Sequence, residues 1–374
     1  MIRFIFLIVL FLISLLAIFK AQAYYLWLMA IIVTELPWIL IGITLLLLLL
    51  GFRTDKFQLA GSIIGLVALI FFLSTIYRAY LVSNELSRNM DAAFSKGNNN
   101  IETVPYRFWR SIFHDNIKEK YSTMAYKKHE DITLNLDFYP SQILGKRPCI
   151  IVIHGGSWST GDSRQIPELN SLLTTKGYNV VSINYRKAPK YKTPAPIEDL
   201  KNAMNFLRQH SDSLQIDTNN FVLLGRSAGA QVALLAAYSL RDSSIKGVID
   251  FYGPADMVWG YSMPTNPLVM DSQKVMENYI GGTYKEVPQK FADCSPLEFV
   301  DKHSPPTLMI HGENDVLVAY DHSRRLKEKL QQKGVKHFWL QLPWATHGFD
   351  YIQNGPGGQL ANFSIEHFLQ YVIK

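Results

Sequence analysis

The chain has 374 residues, a formal net charge of +6 and 48% hydrophobic residues. That length is too great for one small domain, and the apolar content is concentrated at the front. The basic excess is no nucleic-acid signature, because no basic stripe is interleaved with aromatics; residues 1–82 hold half of it, five basic groups against two acidic ones.

Three apolar stretches open the chain. Phe4–Phe19 is uncharged between Arg3 and Lys20, short for a membrane span and long for a signal-peptide core. Ala21-Gln22-Ala23 follows with the A-x-A pattern of a cleavage site. The segment reads as a retained helix, with a cleaved signal as the alternative. The second stretch lies within Tyr24–Phe52 and contains Glu35 and Pro37; Pro37 either kinks it or sets its start. An ionisable group in a span is a functional candidate by default, but Glu35 reads here as an interfacial residue ahead of a helix that begins at Leu36. Phe57–Tyr77 is a clear span candidate, free of charge. Arg3, Arg53 and Lys56 would then be cytoplasmic and Lys20 outside, with Arg78 and Arg88 weakening the bias. Three spans from an inside N-terminus, or a cleaved signal and two spans, both leave the rest of the chain on the external, periplasmic or extracellular, side of the cell membrane.

Residues 83–125 read as a linker. Gly97-Asn98-Asn99-Asn100 is a flexible tip. Tyr106-Arg107-Phe108-Trp109-Arg110-Ser111-Ile112-Phe113 mixes aromatics with arginine, and suits either a bilayer surface or packing on the following domain.

From about residue 126 to 374 short apolar runs alternate with helical segments. Expected strands are Ile132–Phe138, Cys149–His154, Asn179–Tyr185, Phe221–Gly225, Gly247–Tyr252, Thr307–His311 and His337–Leu342. Expected helices are Pro196–His210, Ala228–Leu240, Asp321–Gln332 and Asn362–Ile373. Continuous apolar strands alternating with helices imply an α/β fold around a mostly parallel sheet, with its site at the carboxyl ends of the strands. Cys149 falls inside one such strand as a buried small hydrophobe, and with Cys294 it makes neither a disulfide framework nor a metal site. No H-E-x-x-H, G-x-G-x-x-G or P-loop pattern occurs, so no cofactor or metal is expected.

Gly225-Arg226-Ser227-Ala228-Gly229 follows the run Phe221–Leu224 and precedes the small-residue helix from Ala230. Strand, sharp turn and helix are the context that makes G-x-S-x-G a nucleophile elbow. Ser227 is the candidate nucleophile. His154-Gly155-Gly156-Ser157-Trp158 stands at the end of an earlier strand; Ala228 would supply one oxyanion-stabilising N–H and Gly155 or Gly156 the other. His154 reads as a strut. The order Ser, acid, His expected of such a fold continues with Asp315, in the turn beyond the strand ending at His311, with Glu313 as its competitor. His347 follows on a loop after the last strand; His303, His311 and His322 are less well placed. His347 would take the Ser227 proton, with Asp315 fixing its tautomer.

These stretches carry a resemblance. Leu136-Asp137-Phe138-Tyr139-Pro140, the His154–Trp158 segment with Gly161-Asp162, and Asn184-Tyr185-Arg186-Lys187-Ala188-Pro189 resemble the bacterial carboxylesterase group of the α/β-hydrolase superfamily. So do Pro194-Ala195-Pro196-Ile197-Glu198-Asp199, the Ser227 elbow, Ser295-Pro296, and the Asp315 and His347 segments. That branch is related to hormone-sensitive lipase and to feruloyl-esterase-like domains. The resemblance implies an α/β-hydrolase fold, a small-molecule ester substrate, and an insertion at about 257–299 that caps the site, bearing Trp259, Tyr261, Met263, Met270 and Tyr279. The chain departs from the pattern at Ser157 and Ala230, where the family often has glycine. His-Gly-Gly-x-Trp with Ser-Ala-Gly-Ala also resembles kynurenine formamidase, which keeps amide cleavage open. The leading expectation is a membrane-anchored serine esterase acting through an acyl-enzyme. Acyl transfer to another acceptor uses the same residues, and a non-catalytic, membrane-tethered binding module is the non-enzymatic alternative. Oligomeric state is not legible.

Overall fold

A computed structural model describes residues 1–53, 58–94, 104–113 and 120–373. Lys56 and the Gly97–Asn100 run lie outside the described residues, as does the side chain of Arg53.

The N-terminal part contains α1 (Ile2–Ser14), α2 (Tyr24–Glu35), α3 (Pro37–Leu49) and α4 (Gln58–Phe94). Along α4 a stripe at helical spacing is buried: Gly61, Gly65, Ala68, Phe72, Thr75, Ala79, Ser83, Leu86, Met90 and Phe94. Its first half packs on α1 and α3 through small residues; a Cβ on Gly65 would lie 2.8 Å from Leu48 and 2.9 Å from Leu7. Its second half packs on the following domain, where Phe94 meets Phe368 edge-on at 5.1 Å. The expected boundary near residue 82 therefore falls inside one continuous helix. Among the described residues α4 is the one helix long and apolar enough to cross a membrane, and α2 with α3 passes the same test only as a pair bent by 83°. The expected two or three spans thus reduce to one such helix and one bent pair. Pro37 opens α3, where a missing N–H costs nothing.

The rest of the chain is built on β1 (Ser122–Lys128), β2 (Thr133–Tyr139), β3 (Arg147–Ile153), α5 (Pro167–Thr175), β4 (Asn179–Ile183), α6 (Ala195–Gln209), β5 (Ile216–Arg226), α7 (Ala228–Ser239) and β6 (Ile245–Phe251). It continues with α8 (Met257–Ser262), α9 (Ser272–Ile280), α10 (Pro288–Asp293), β7 (Thr307–Gly312), α11 (Asp321–Gln332), β8 (His337–Leu342) and α12 (Pro356–Val372). The sheet order is β1-β2-β4-β3-β5-β6-β7-β8. β1–β2 and β2–β4 are antiparallel and the remaining pairs parallel.

Side chains alternate across the central strands, and both faces are covered. Ile151, Ile153 and Leu223 face α6 and α7, through Leu200, Leu207 and Val232. Ile150, Val152, Val222 and Leu224 face the side holding α5, α12 and the end of α4, through Leu169, Phe368 and Leu86. This is the three-layer arrangement expected of a parallel sheet. The Tyr106–Phe113 segment packs on the domain by one face: Tyr106 and Ser111 are buried, and the Arg107 N–H donates to Gln359 Oε1 at 3.0 Å. Trp109 and Phe113 point outward.

Candidate active site

β5 delivers Ser227 at its carboxyl end with φ 53° and ψ −122°, a conformation that costs a non-glycine residue about 1–3 kcal/mol. Two glycines permit the turn. A Cβ on Gly225 would lie 2.4 Å from Ala230 Cα, and one on Gly229 would lie 2.2 Å from the Ile153 carbonyl oxygen. Arg226 is held beneath the turn: its buried guanidinium donates from Nε to Asp350 at 2.6 Å, lies 5.2 Å from the Phe251 ring centre, and shares Asp350 with the Tyr252 hydroxyl.

Ser227 Oγ lies 3.0 Å from His347 Nε2, and His347 Nδ1 lies 2.7 Å from Asp315 Oδ2. The three side chains come from the ends of β5, β7 and β8, so the parallel sheet brings together residues 120 and 32 positions apart. Asp315 Oδ1 accepts the N–H groups of Leu317 and Val318, at 2.8 and 2.9 Å. His311 also meets Oδ2, at 3.1 Å. Burial works against the Asp315 carboxylate, but His347 and the hydrogen bonds from His311 and His347 outweigh it and hold its pKa well below the usual range. Glu313 takes no part in this line; its carboxylate faces Tyr320.

Of the expected oxyanion donors, Ala228 opens α7, so its N–H is among those a helix leaves without an internal acceptor. The Gly155 N–H donates to Gln165 Oε1 at 2.7 Å, which leaves Gly156 as the glycine whose N–H is available. Ser157 and Trp158 follow with φ 52° and 57°, a left-handed backbone that glycine adopts more readily than other residues. His154 is buried, stacks on Tyr185 with ring centres 4.4 Å apart, and has its pKa lowered by burial to about 4. It packs as a strut.

Residues 257–299 form α8–α10 and a 3₁₀ turn over the site. Their seat is Gln231, which accepts from Trp158 Nε1 at 3.0 Å and donates to the Cys294 carbonyl at 2.7 Å, while Trp158 and Tyr279 stack with centres 4.4 Å apart. Two spaces open from Ser227. One, of about 70 Å³, runs under the cap between Ala228, Met263, Met270, Met276 and Val318. The other, of about 480 Å³, is bounded by Gly156, Gln165, His347 and Tyr351, and by Tyr24 and Trp27 of α2. Sequence reasoning missed Gln165, Tyr24 and Trp27, which have no local signal, and weighed His311 only as a less well placed alternative to His347, not as a second partner of the acid.

A family model described as BD-FAE matches residues 136–330, more than half of the chain. The chain belongs to the BD-FAE family. Ser227 and Asp315 fall inside the matched BD-FAE region, His347 just beyond it, and α1–α4 wholly outside. Among curated relatives, esterase LipC of Mycobacterium tuberculosis is 31% identical over 242 residues, covering 60% of this chain and 58% of LipC. The probable carboxylic ester hydrolase LipM of the same organism is 27% identical over 280 residues, 71% of this chain and 63% of LipM. The chain thus spans about three fifths of the length of these relatives. Among solved structures, a bacterial heroin esterase superposes with a TM-score of 0.59 at 22% identity, covering 68% of this chain and 85% of that one. A Pyrobaculum calidifontis esterase gives 0.58 at 20% identity, over 78% and 92%. These likenesses agree with the α/β-hydrolase architecture of the sheet, and the BD-FAE domain is carboxylesterase-like.

Proposed function

We propose that this BD-FAE protein is a membrane-anchored serine esterase that cleaves a carboxylic ester through an acyl-enzyme. The continuous line Ser227 Oγ, His347, Asp315, at 3.0 and 2.7 Å, carries the reading. In it, His347 Nε2 accepts the Ser227 proton as Oγ bonds to the carbonyl carbon. The negative charge formed on the carbonyl oxygen is met by the Ala228 and Gly156 N–H groups. His347 then protonates the departing alcohol oxygen, the ester C–O bond breaks, and the acyl group stays on Ser227. Water, deprotonated by His347, releases it as the carboxylic acid.

Anchoring rests on α4. Leu59, Ile63, Leu66, Ile70 and Leu73 are exposed along its first half, an apolar stripe of the kind that marks a membrane or partner surface. α1 and α3 would lie beside it in the bilayer.

The test is covalent labelling by an alkyl fluorophosphonate, with hydrolysis of a panel of aryl esters, acetylated sugars and N-formyl anilines. Labelling and ester turnover in the wild type, both lost in Ser227→Ala, are the expected results. Wild-type-like turnover in purified Ser227→Ala would sink the mechanism, and turnover of the formyl anilines alone would move the activity to amide cleavage.

A further inference from the structure

Helix α2 is uncharged from Tyr24 to Thr34 and is tied to the hydrolase domain at three places. At its start, the Tyr24 N–H donates to the Leu268 carbonyl at 3.0 Å, and the Asn266 side chain donates to the Gln22 carbonyl at 3.1 Å. In its middle, Trp27 Nε1 donates at 2.9 Å to the carbonyl of His347. At its end, Glu35 is fully buried. It is no interfacial residue ahead of a helix. Its carboxylate accepts the Gly357 N–H at 2.8 Å and Trp344 Nε1–H at 3.3 Å. The first turn of α12 is shaped for it: a Cβ on Gly355 would lie 2.4 Å from Glu35 Oε2, and one on Gly357 3.0 Å from Oε1. Glu35 therefore acts as a clasp from a different part of the chain.

The side of α2 facing the site carries Tyr24 and Trp27 into the larger cleft. Tyr25, Leu28, Met29 and Ile32 are exposed on the helix. The leaving alcohol oxygen must come within reach of His347 Nε2 to be protonated, so the alcohol half of the ester lies on the His347 side, where Trp27 stands. The acyl half is left the small space under the cap.

Resting on the serine-esterase reading, we propose that α2 is a wall of the active site, that Glu35 and Trp27 are positioning residues holding it there, and that the site selects short-acyl esters of amphiphilic alcohols, whose alkyl chain lies along Tyr24 and Trp27. An aromatic helix with an apolar outer flank, next to segments apolar enough for a bilayer, suits such an alcohol better than a sugar.

The experiment compares kcat/KM for decyl acetate and ethyl acetate on the full chain; both give the same acetyl-enzyme, so the ratio reads the alcohol side alone. Wild type should prefer decyl acetate. Trp27→Ala and Tyr24→Ala should each lower the decyl-to-ethyl ratio about tenfold, the equivalent of about 1.4 kcal/mol. Glu35→Ala should lower it similarly from outside the cleft, with Glu35→Gln milder. A wild-type ratio within twofold in both Trp27→Ala and Tyr24→Ala would overturn the inference while Ser227→Ala, inactive on both esters, leaves the esterase reading standing. Turnover by Ser227→Ala would overturn both. Should Trp27→Ala lose its melting transition, Tyr24→Ala, on the half-exposed first turn, decides alone. A ratio lowered for decyl acetate in phosphatidylcholine vesicles only assigns the bilayer as the source of substrate. One lowered equally below the ester's aggregation concentration assigns free amphiphile, and either supports the inference.

Discussion

His311 Nε2 and Asp315 Oδ2 are 3.1 Å apart, both fully buried, and the same oxygen faces His347 at 2.7 Å. A second histidine thus braces the acid from behind; His311 is itself fixed by Ser323 Oγ at 2.8 Å from Nδ1. The carboxylate has its other oxygen on two backbone N–H groups. Asp315 is therefore over-determined in position and in charge, which suits a group that must hold one imidazole tautomer through a catalytic cycle.

Asp315→Asn should lower kcat by about 10³–10⁴-fold, because an amide facing Nδ1 favours the wrong tautomer. Glu313→Gln should stay within about threefold of wild type, since Glu313 faces Tyr320. His311→Phe should fall between, because it removes one of the two imidazoles that hold the Asp315 carboxylate. Steady-state kinetics on the three variants check the order; a Glu313 variant worse than the Asp315 variant would move the acid.

Acid should destabilise the domain through two buried histidines that are not part of the reaction. Burial lowers His154 to about 4 and His322 to about 3, against about 6.5 in an unfolded chain. Between those values the unfolded state binds the extra proton, so stability is whole above pH 6.5 and is lost as pH falls toward 4 and then 3. Each group contributes a slope of about 1.4 kcal/mol per pH unit where it is protonated only in the unfolded chain. Asp250, raised by burial to about 7, contributes with the opposite sign over the same range, so urea titrations from pH 7 to 4.5 read the histidine share as the difference between wild type and a histidine variant. His154→Phe, which keeps a ring against Tyr185, should remove one proton's share of the slope; an unchanged slope would refute the assignment.

Gly229→Ala should abolish most activity and cost about 1–3 kcal/mol as an overpacked site, because its methyl would meet two backbone carbonyls, Ile153 at 2.2 Å and His154 at 2.3 Å, that no rotamer change can move. Gly145→Ala, with φ 91° but nothing within 4 Å, strains only its own backbone and should leave turnover unchanged. Thermal melts and ester assays on the pair separate space from backbone freedom.

What the sequence made legible follows the range of the forces involved. β8 has its expected bounds, His337–Leu342, and the other expected strands agree within a few residues, since continuous apolar runs reflect burial on both faces. β1 was missed: it is an edge strand with Tyr126 as its one buried residue, so no periodicity marks it. The first turn of α12 was missed because Gly355-Pro356-Gly357-Gly358 reads as a breaker. Pro is favoured in a first turn, however, and the glycines make room for Glu35. α5 was missed as well, a nine-residue helix whose buried Leu169 and Leu173 give too short an apolar pattern to mark it. Ser227, Asp315 and His347 each carry a local signature of turn and strand end. The placement of Trp27 on His347 spans 320 positions and has none.

The hydrolase domain should lie outside the cytoplasmic membrane. Arg3 donates to the Leu47 carbonyl at 2.7 Å and to Ser62 Oγ at 3.0 Å, so the starts of α1 and α4 and the end of α3 share one end of the helical group. Arg53 and Lys56 belong in sequence to the same connection between α3 and α4. At the opposite end Arg78 donates to the carbonyls of Ala17, at 2.5 Å, and Pro343, at 3.1 Å. Arg3 therefore marks the end away from the hydrolase, and Arg53 and Lys56 join it by sequence, the side that the positive-inside rule assigns to the cytoplasm, with Lys20 opposing the bias from the other end. Alkaline phosphatase fused to the C-terminus should be active, because it needs export, and a fluorescent protein fused there should be dark. Cytoplasmic fluorescence without phosphatase activity would invert the topology, and would place the Tyr24–Trp27 wall against the inner leaflet, where only intracellular amphiphilic esters could reach it.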